Sequence, residues 1–187
     1  MRVRIFDRME ECTDEAVQAM LPMVSQQRRE QALRYRHLFG RFCCLKSWLM
    51  LQEEMKSFNY QLSSIIYATY GKPYVANGPF FSISHCKEAI AVALDDQPIG
   101  IDVESIRRFD PELVTRTMND SEQALIAASA HPERAFIRLW TQKEAVLKME
   151  GTGIESFEQL QTILSKYRNI EISTIEKEKY IYTIAYV

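Results

Sequence analysis

The spacing of hydrophobic and polar positions changes several times along the chain, and each change marks an element. Residues 2–6 alternate polar and apolar and predict a first strand. Helical spacing follows over about residues 14–20 and stops at Pro22. Between about residues 25 and 55, Leu38, Phe42, Leu45 and Leu49, flanked by Trp48, recur at helical intervals. That stretch predicts a long helical region with a core-facing stripe and a candidate break at Gly40. Residues 65–68, 80–84 and 89–94 read as strands, and Asp95-Asp96-Gln97-Pro98 reads as the turn of a hairpin into a strand at residues 99–104. Helices are predicted over about residues 111–117, 121–130 and 132–149, with Pro132 in a tolerated first-turn position and Gly151-Thr152-Gly153 ending the last helix. Strands at about residues 170–175 and 180–187 close the chain as a hairpin.

Three of these segments carry candidate chemistry. In the strand at residues 99–104, Ile99, Ile101 and Val103 alternate with Gly100, Asp102 and Glu104, so the two carboxylates share a face. Two carboxylates side by side repel unless a cation or a proton lies between them, and Mg²⁺ takes such hard oxygen ligands. In the helix at residues 132–149, Glu144 and Lys148 are four apart in the favourable acid-first order. They suit metal ligation, proton transfer and stabilisation of a transferring phosphoryl group. Gly71-Lys72-Pro73 and Ser82-Ile83-Ser84-His85 add a lysine and a histidine suited to phosphate. Each feature also has a plain reading. Asp102 and Glu104 fit the solvated face of an edge strand, and Thr141-x-x-Glu144 fits a capping box. Glu144 with Lys148 fits an exposed ion pair, His85 a structural histidine, and Gly71-Lys72-Pro73 a turn. A continuous helix through Thr141 would weaken the capping-box reading.

Composition narrows the classes. A chain of 187 residues can bury a substantial core, and 47% hydrophobic with 26% charged residues describes a globular protein. A net charge of −2 gives no reason to expect nucleic acid. No apolar run approaches membrane-spanning length and no signal peptide is evident, so the expectation is a cytoplasmic protein without a membrane partner. Cys12, Cys43, Cys44 and Cys86 form no C-x-x-C pair and read as reduced thiols.

The order of the chemical segments resembles that of the Sfp-type 4′-phosphopantetheinyl transferases: G-K-P, a strand ending in S-H, G-x-D-x-E, then W-x-x-K-E-A-x-x-K followed by G-x-G. Here these are Gly71-Lys72-Pro73, the strand ending at Ser84-His85, Gly100 to Glu104, Trp140 to Lys148, and Gly151-Thr152-Gly153. The likeness covers roughly residues 70–153 and weakens toward both ends.

The resemblance implies an α+β fold of two similar halves, residues 1–97 and 98–187, related by pseudo-two-fold symmetry with a ligand cleft between them. It implies transfer of the phosphopantetheine arm of coenzyme A to a serine of an acyl or peptidyl carrier protein, releasing 3′,5′-ADP. Asp102, Glu104 and Glu144 would hold Mg²⁺, with Mn²⁺ as an alternative. Glu144, or Glu104 through water, would take the serine proton, and Lys148 would stabilise the transferring group. Lys72, Ser84 and His85 would grip phosphates, and the basic stretch with Arg28 and Arg41 would face the nucleotide 3′-phosphate. The chain departs from the pattern at Gln31, Phe42 and Cys86, where lysine or small hydroxyl residues are common. A basic and apolar carrier surface would draw on Arg107, Arg108 and Arg116 with Phe109, Leu113 and Met118. Two other classes fit the same carboxylates: a Mg²⁺-dependent pyrophosphate or phosphodiester hydrolase, and a non-catalytic module that binds coenzyme A or a carrier.

Overall fold

The structure, a computed structural model, describes residues 1–60, 66–67, 71–167 and 169–187. The fold is α+β. Strand β1 (Arg2–Phe6) opens the chain, followed by helices α1 (Asp14–Met20), α2 (Gln26–Leu33) and α3 (Leu38–Ser57). Strands β2 (Ile66–Tyr67), β3 (Pro73–Tyr74), β4 (Phe80–His85), β5 (Ile90–Asp95) and β6 (Ile99–Ser105) come next. Helices α4 (Pro111–Thr117), α5 (Asp120–Ala128), α6 (Pro132–Glu150) and α7 (Phe157–Lys166) precede the closing strands β7 (Glu171–Glu176) and β8 (Tyr180–Tyr186). The predicted strand at residues 65–68 appears as β2, and residues 65 and 68 lie outside the described residues.

Two antiparallel three-stranded sheets form the centre, in the orders β1-β5-β4 and β6-β8-β7; β2 and β3 make a separate small pair. Alternation along β5 serves two cores at once. Ile90, Val92 and Leu94 pack with Phe42, Leu45, Trp48 and Leu51 of α3. Ala89, Ala91 and Ala93 pack with Ile99, Ile101 and Val103 of β6 and Ile184 of β8. Ala145, Val146 and Met149 of α6 join Leu160 and Ile163 of α7 and Ala185 of β8 in a third core. The layers therefore run helix, sheet, sheet, helix, with small alanines where the sheets meet.

Three expectations need correction. Residues 95–98 do not turn a hairpin: β5 pairs with β1 and β4, whereas β6 pairs with β8, so the chain changes sheets there. Pro98 cannot donate a ladder hydrogen bond, which suits a crossing point. The break in the long helical stretch falls between Leu33 and Leu38, and Gly40 lies inside α3. Gly40 is a packing glycine, since a Cβ there would come within 2.7 Å of the Tyr35 ring. Helix α7, absent from the expectation, starts at Ser156, whose hydroxyl accepts from Gln159 N–H. Helix α6 is continuous through Thr141 and ends at Gly151 in the left-handed conformation. The Thr141 hydroxyl bonds Arg138 O and Thr183, so Glu144 belongs to no capping box.

Candidate active site

The carboxylate strand is no solvated face. Gly100, Asp102 and Glu104 of β6 face α6, and a Cβ on Gly100 would collide with the backbone of Ala145 and Met149. Helix α6 can therefore lie directly on the strand, and this contact brings Lys148 over Asp102. The Lys148 Nζ stands 2.6 Å from Asp102 Oδ1 and 2.9 Å from Ser84 Oγ, while Ser84 Oγ donates to Asp102 Oδ1 at 2.8 Å. Asp102 is buried, and its Oδ2 has no hydrogen-bond partner among the described residues.

A cavity of about 440 Å³ opens at this point. It is lined by Asp102, Glu104, Glu144 and Lys148 together with His85, Arg28, Tyr35 and Trp48. Burial pushes the Glu104 carboxyl up to about 7, helped by the Asp102 charge, and the same two causes raise Glu144. Burial, then the Lys148 charge, pushes the His85 imidazole below its ordinary range, so it is neutral near pH 7. Its ring meets Phe39 edge-on at 5.9 Å.

The expected site residues divide into three groups. Asp102, Glu104, Glu144, Lys148, Ser84, His85 and Arg28 all line the one cavity. Arg28 is held there by Cys44 O, by Gln31 Oε1 at 2.8 Å and by the Trp48 ring at 4.2 Å. Arg41 donates to Tyr35 O at 2.9 Å. Lys72 stands beside the cavity: its ammonium reaches the carbonyls of Lys148, Met149 (3.2 Å) and Ile99 (3.4 Å), and burial lowers it to about 8. It thus caps the C-terminal end of α6. On the expected carrier surface, Arg107, Arg108, Phe109 and Leu113 line a smaller cavity of about 260 Å³ together with Glu104 and Trp140. Met118 is fully buried in the core and belongs to no surface.

As the side chains stand, no group of three His, Cys, Asp or Glu among the described residues is close enough to hold a metal ion. The Lys148 ammonium balances Asp102 instead. The donor set still fits a hard divalent cation: three carboxylates line one cavity, two resist ionisation beside the third, and one buried carboxylate oxygen lacks a partner.

One residue of the helix pattern did not announce its role. Lys143 is fully buried, with its ammonium 2.8 Å from both oxygens of Glu122 and 2.5 Å from Leu160 O. It locks α6 to α5 and α7. The partner lies 21 residues away, so no local spacing reveals it.

The chain belongs to the 4′-phosphopantetheinyl transferase superfamily, whose family model matches residues 98–186. It is 32% identical over 145 residues to a 4′-phosphopantetheinyl transferase of Bacillus pumilus, covering 74% of this chain and 62% of that one. The 4′-phosphopantetheinyl transferase Sfp of Bacillus subtilis is 31% identical over 150 residues, covering 76% and 66%. One from Aneurinibacillus migulanus is 28% identical over 165 residues, covering 81% and 70%. The chain thus spans about two thirds of the length of these relatives. No helix among the described residues is long and apolar enough to cross a membrane.

Proposed function

We propose that this protein transfers the 4′-phosphopantetheine arm of coenzyme A to a serine of an apo acyl or peptidyl carrier protein and releases 3′,5′-ADP. The observation that carries the reading is the convergence of Asp102, Glu104, Glu144, Lys148 and His85 on one cavity. The cleft lies between two α+β halves that meet near residues 97–98 and are related by a pseudo-two-fold axis.

The carrier serine oxygen attacks the β-phosphorus of coenzyme A. The new O–P bond forms, the P–O bond to the nucleotide phosphate breaks, and 3′,5′-ADP departs with the bonding pair. Glu144, directly or through water, or Glu104 through water, accepts the serine proton. Raised basicity suits either to that task near neutral pH. Lys148 neutralises charge on the transferring group, and the neutral His85 donates a hydrogen bond to phosphate. Arg28 and Tyr35, which also line the cavity, would receive the nucleotide. Asp102, Glu104 and Glu144 would hold Mg²⁺ or Mn²⁺, which supplies positive charge to the pyrophosphate oxygens. Arg107, Arg108 and Phe109, beside Trp140 at the cavity rim, would meet an acidic carrier.

Mass spectrometry of an apo carrier incubated with the protein, coenzyme A and Mg²⁺ tests this. A phosphopantetheine mass increase is expected. Free 3′,5′-ADP with an unmodified carrier would show a hydrolase, and retained coenzyme A without turnover across several carriers would show a binding module.

A further inference from the structure

Both strands where the two sheets meet are edge strands. In its sheet, β6 has only β8 beside it, so alternate N–H groups along β6 face away from any ladder partner. An unpaired N–H buried at such a junction is costly. Two serines of β4 answer it. Ile101 N–H donates to Ser82 Oγ at 3.0 Å, and Val103 N–H donates to Ser84 Oγ at 3.3 Å. Side-chain hydroxyls thus replace the carbonyls of a missing strand.

The two serines differ in what else they touch. Among the described residues, the Ser82 side chain bonds the Ile101 amide alone. Ser84 reaches the reacting groups. A hydroxyl has one proton and two lone pairs. The Ser84 proton goes to Asp102 Oδ1 at 2.8 Å, and its lone pairs accept from Val103 N–H and from Lys148 Nζ at 2.9 Å. Its bonding capacity is used up within the protein, and the residue is buried. We propose that Ser84 is a positioning residue, which fixes Asp102 and Lys148 across the boundary between the two sheets and makes no contact with substrate phosphate. This rests on the transferase reading for its kinetic consequence and on geometry alone for its structural one.

The test compares Ser84→Ala, Ser84→Thr and Ser82→Ala. Ser84→Ala should lower kcat by about 100-fold, as misplacement of reacting groups does, with KM for coenzyme A unchanged. The Kd of 3′,5′-ADP, measured by calorimetry without turnover, should also be unchanged. Ser84→Thr, which keeps the hydroxyl, should restore kcat. Ser82→Ala should speed amide exchange at Ile101 yet keep wild-type kcat. If Ser84→Ala fails to fold, Ser84→Cys keeps the volume with weaker hydrogen bonds and carries the same expectation. A raised KM or Kd with kcat retained would make Ser84 a substrate ligand and overturn the proposal. Equal kcat losses in the Ser82 and Ser84 variants would overturn it too, by showing a seam that supports both alike. A wild-type protein that modifies no carrier would refute the transferase reading instead. In that event a crystal structure of Ser84→Ala decides: a displaced Asp102 carboxylate supports the proposal, and an unmoved Asp102–Lys148 pair overturns it.

Discussion

A carboxyl group buried beside another negative charge prefers to keep its proton, and Glu104 makes this measurable. Its ordinary value of 4.5 moves up to about 7 in the fold, first through burial and then through Asp102. The folded state thus binds a proton over a range in which the unfolded chain has released it. The resulting stabilisation is complete below about 4.5 and is lost as pH rises through about 7. Melting temperature of chelator-treated protein should therefore fall between about pH 4.5 and 7 and level off above, and Glu104→Gln should flatten much of that slope. An equal slope in the variant would place the raised group elsewhere. Glu144→Gln should lower turnover by about 10²-fold or more with the fold intact, as loss of a proton acceptor does. Near-normal rates would remove Glu144 from the chemistry. At this scale the sequence was informative about identity: alternation at residues 99–104 and the four-residue spacing of Glu144 and Lys148 placed these groups on the correct faces. It was silent on partners. Lys72 ends on the carbonyls of α6 because the loop of Gly71 passes that helix end, a contact 76 residues distant.

Single elements test the packing. Helix α6 sits so close to β6 that position 100 has no room for a methyl group. Gly100→Ala should cost about 1–3 kcal/mol in chemical denaturation, typical of an overpacked core, and should lower activity by moving Lys148 from Asp102. Full stability in that variant would show that the helix can retreat freely. The Lys143–Glu122 pair is the other anchor of α6. Lys143→Met should cost about 3–5 kcal/mol because Glu122 is left unpaired, while Lys143→Met combined with Glu122→Leu should regain most of it. Helix α6 itself was legible from Pro132 through the glycine stop, since its period and caps are local. The sheet switch at residues 95–98 was not, because a tight turn and a crossing point share the same polar, proline-containing composition. Helix α7 does carry local signals, a Ser156 cap to Gln159 and a helical repeat of Leu160 and Ile163, but they are short and lie beyond the glycine stop.

The molecule as a whole is a four-layer stack whose candidate site draws residues from both sides of the boundary between the sheets. His85 and Ser84 arrive on β4, Asp102 and Glu104 on β6, and Glu144 and Lys148 on α6. The layer order could be reached only from long-range pairing, because the hydrophobic period of β5 serves two cores without saying which lies on which side. Beyond the serines, the Tyr180 hydroxyl donates to Asp7 Oδ2 at 3.0 Å across 173 residues. Each sheet hides one margin against the other, β4 with β6. Prising the stack apart would bare two hydrogen-bonding borders at once, each able to recruit a foreign strand. Unfolding intermediates of this protein that open along that line should accordingly self-associate before they lose their helices.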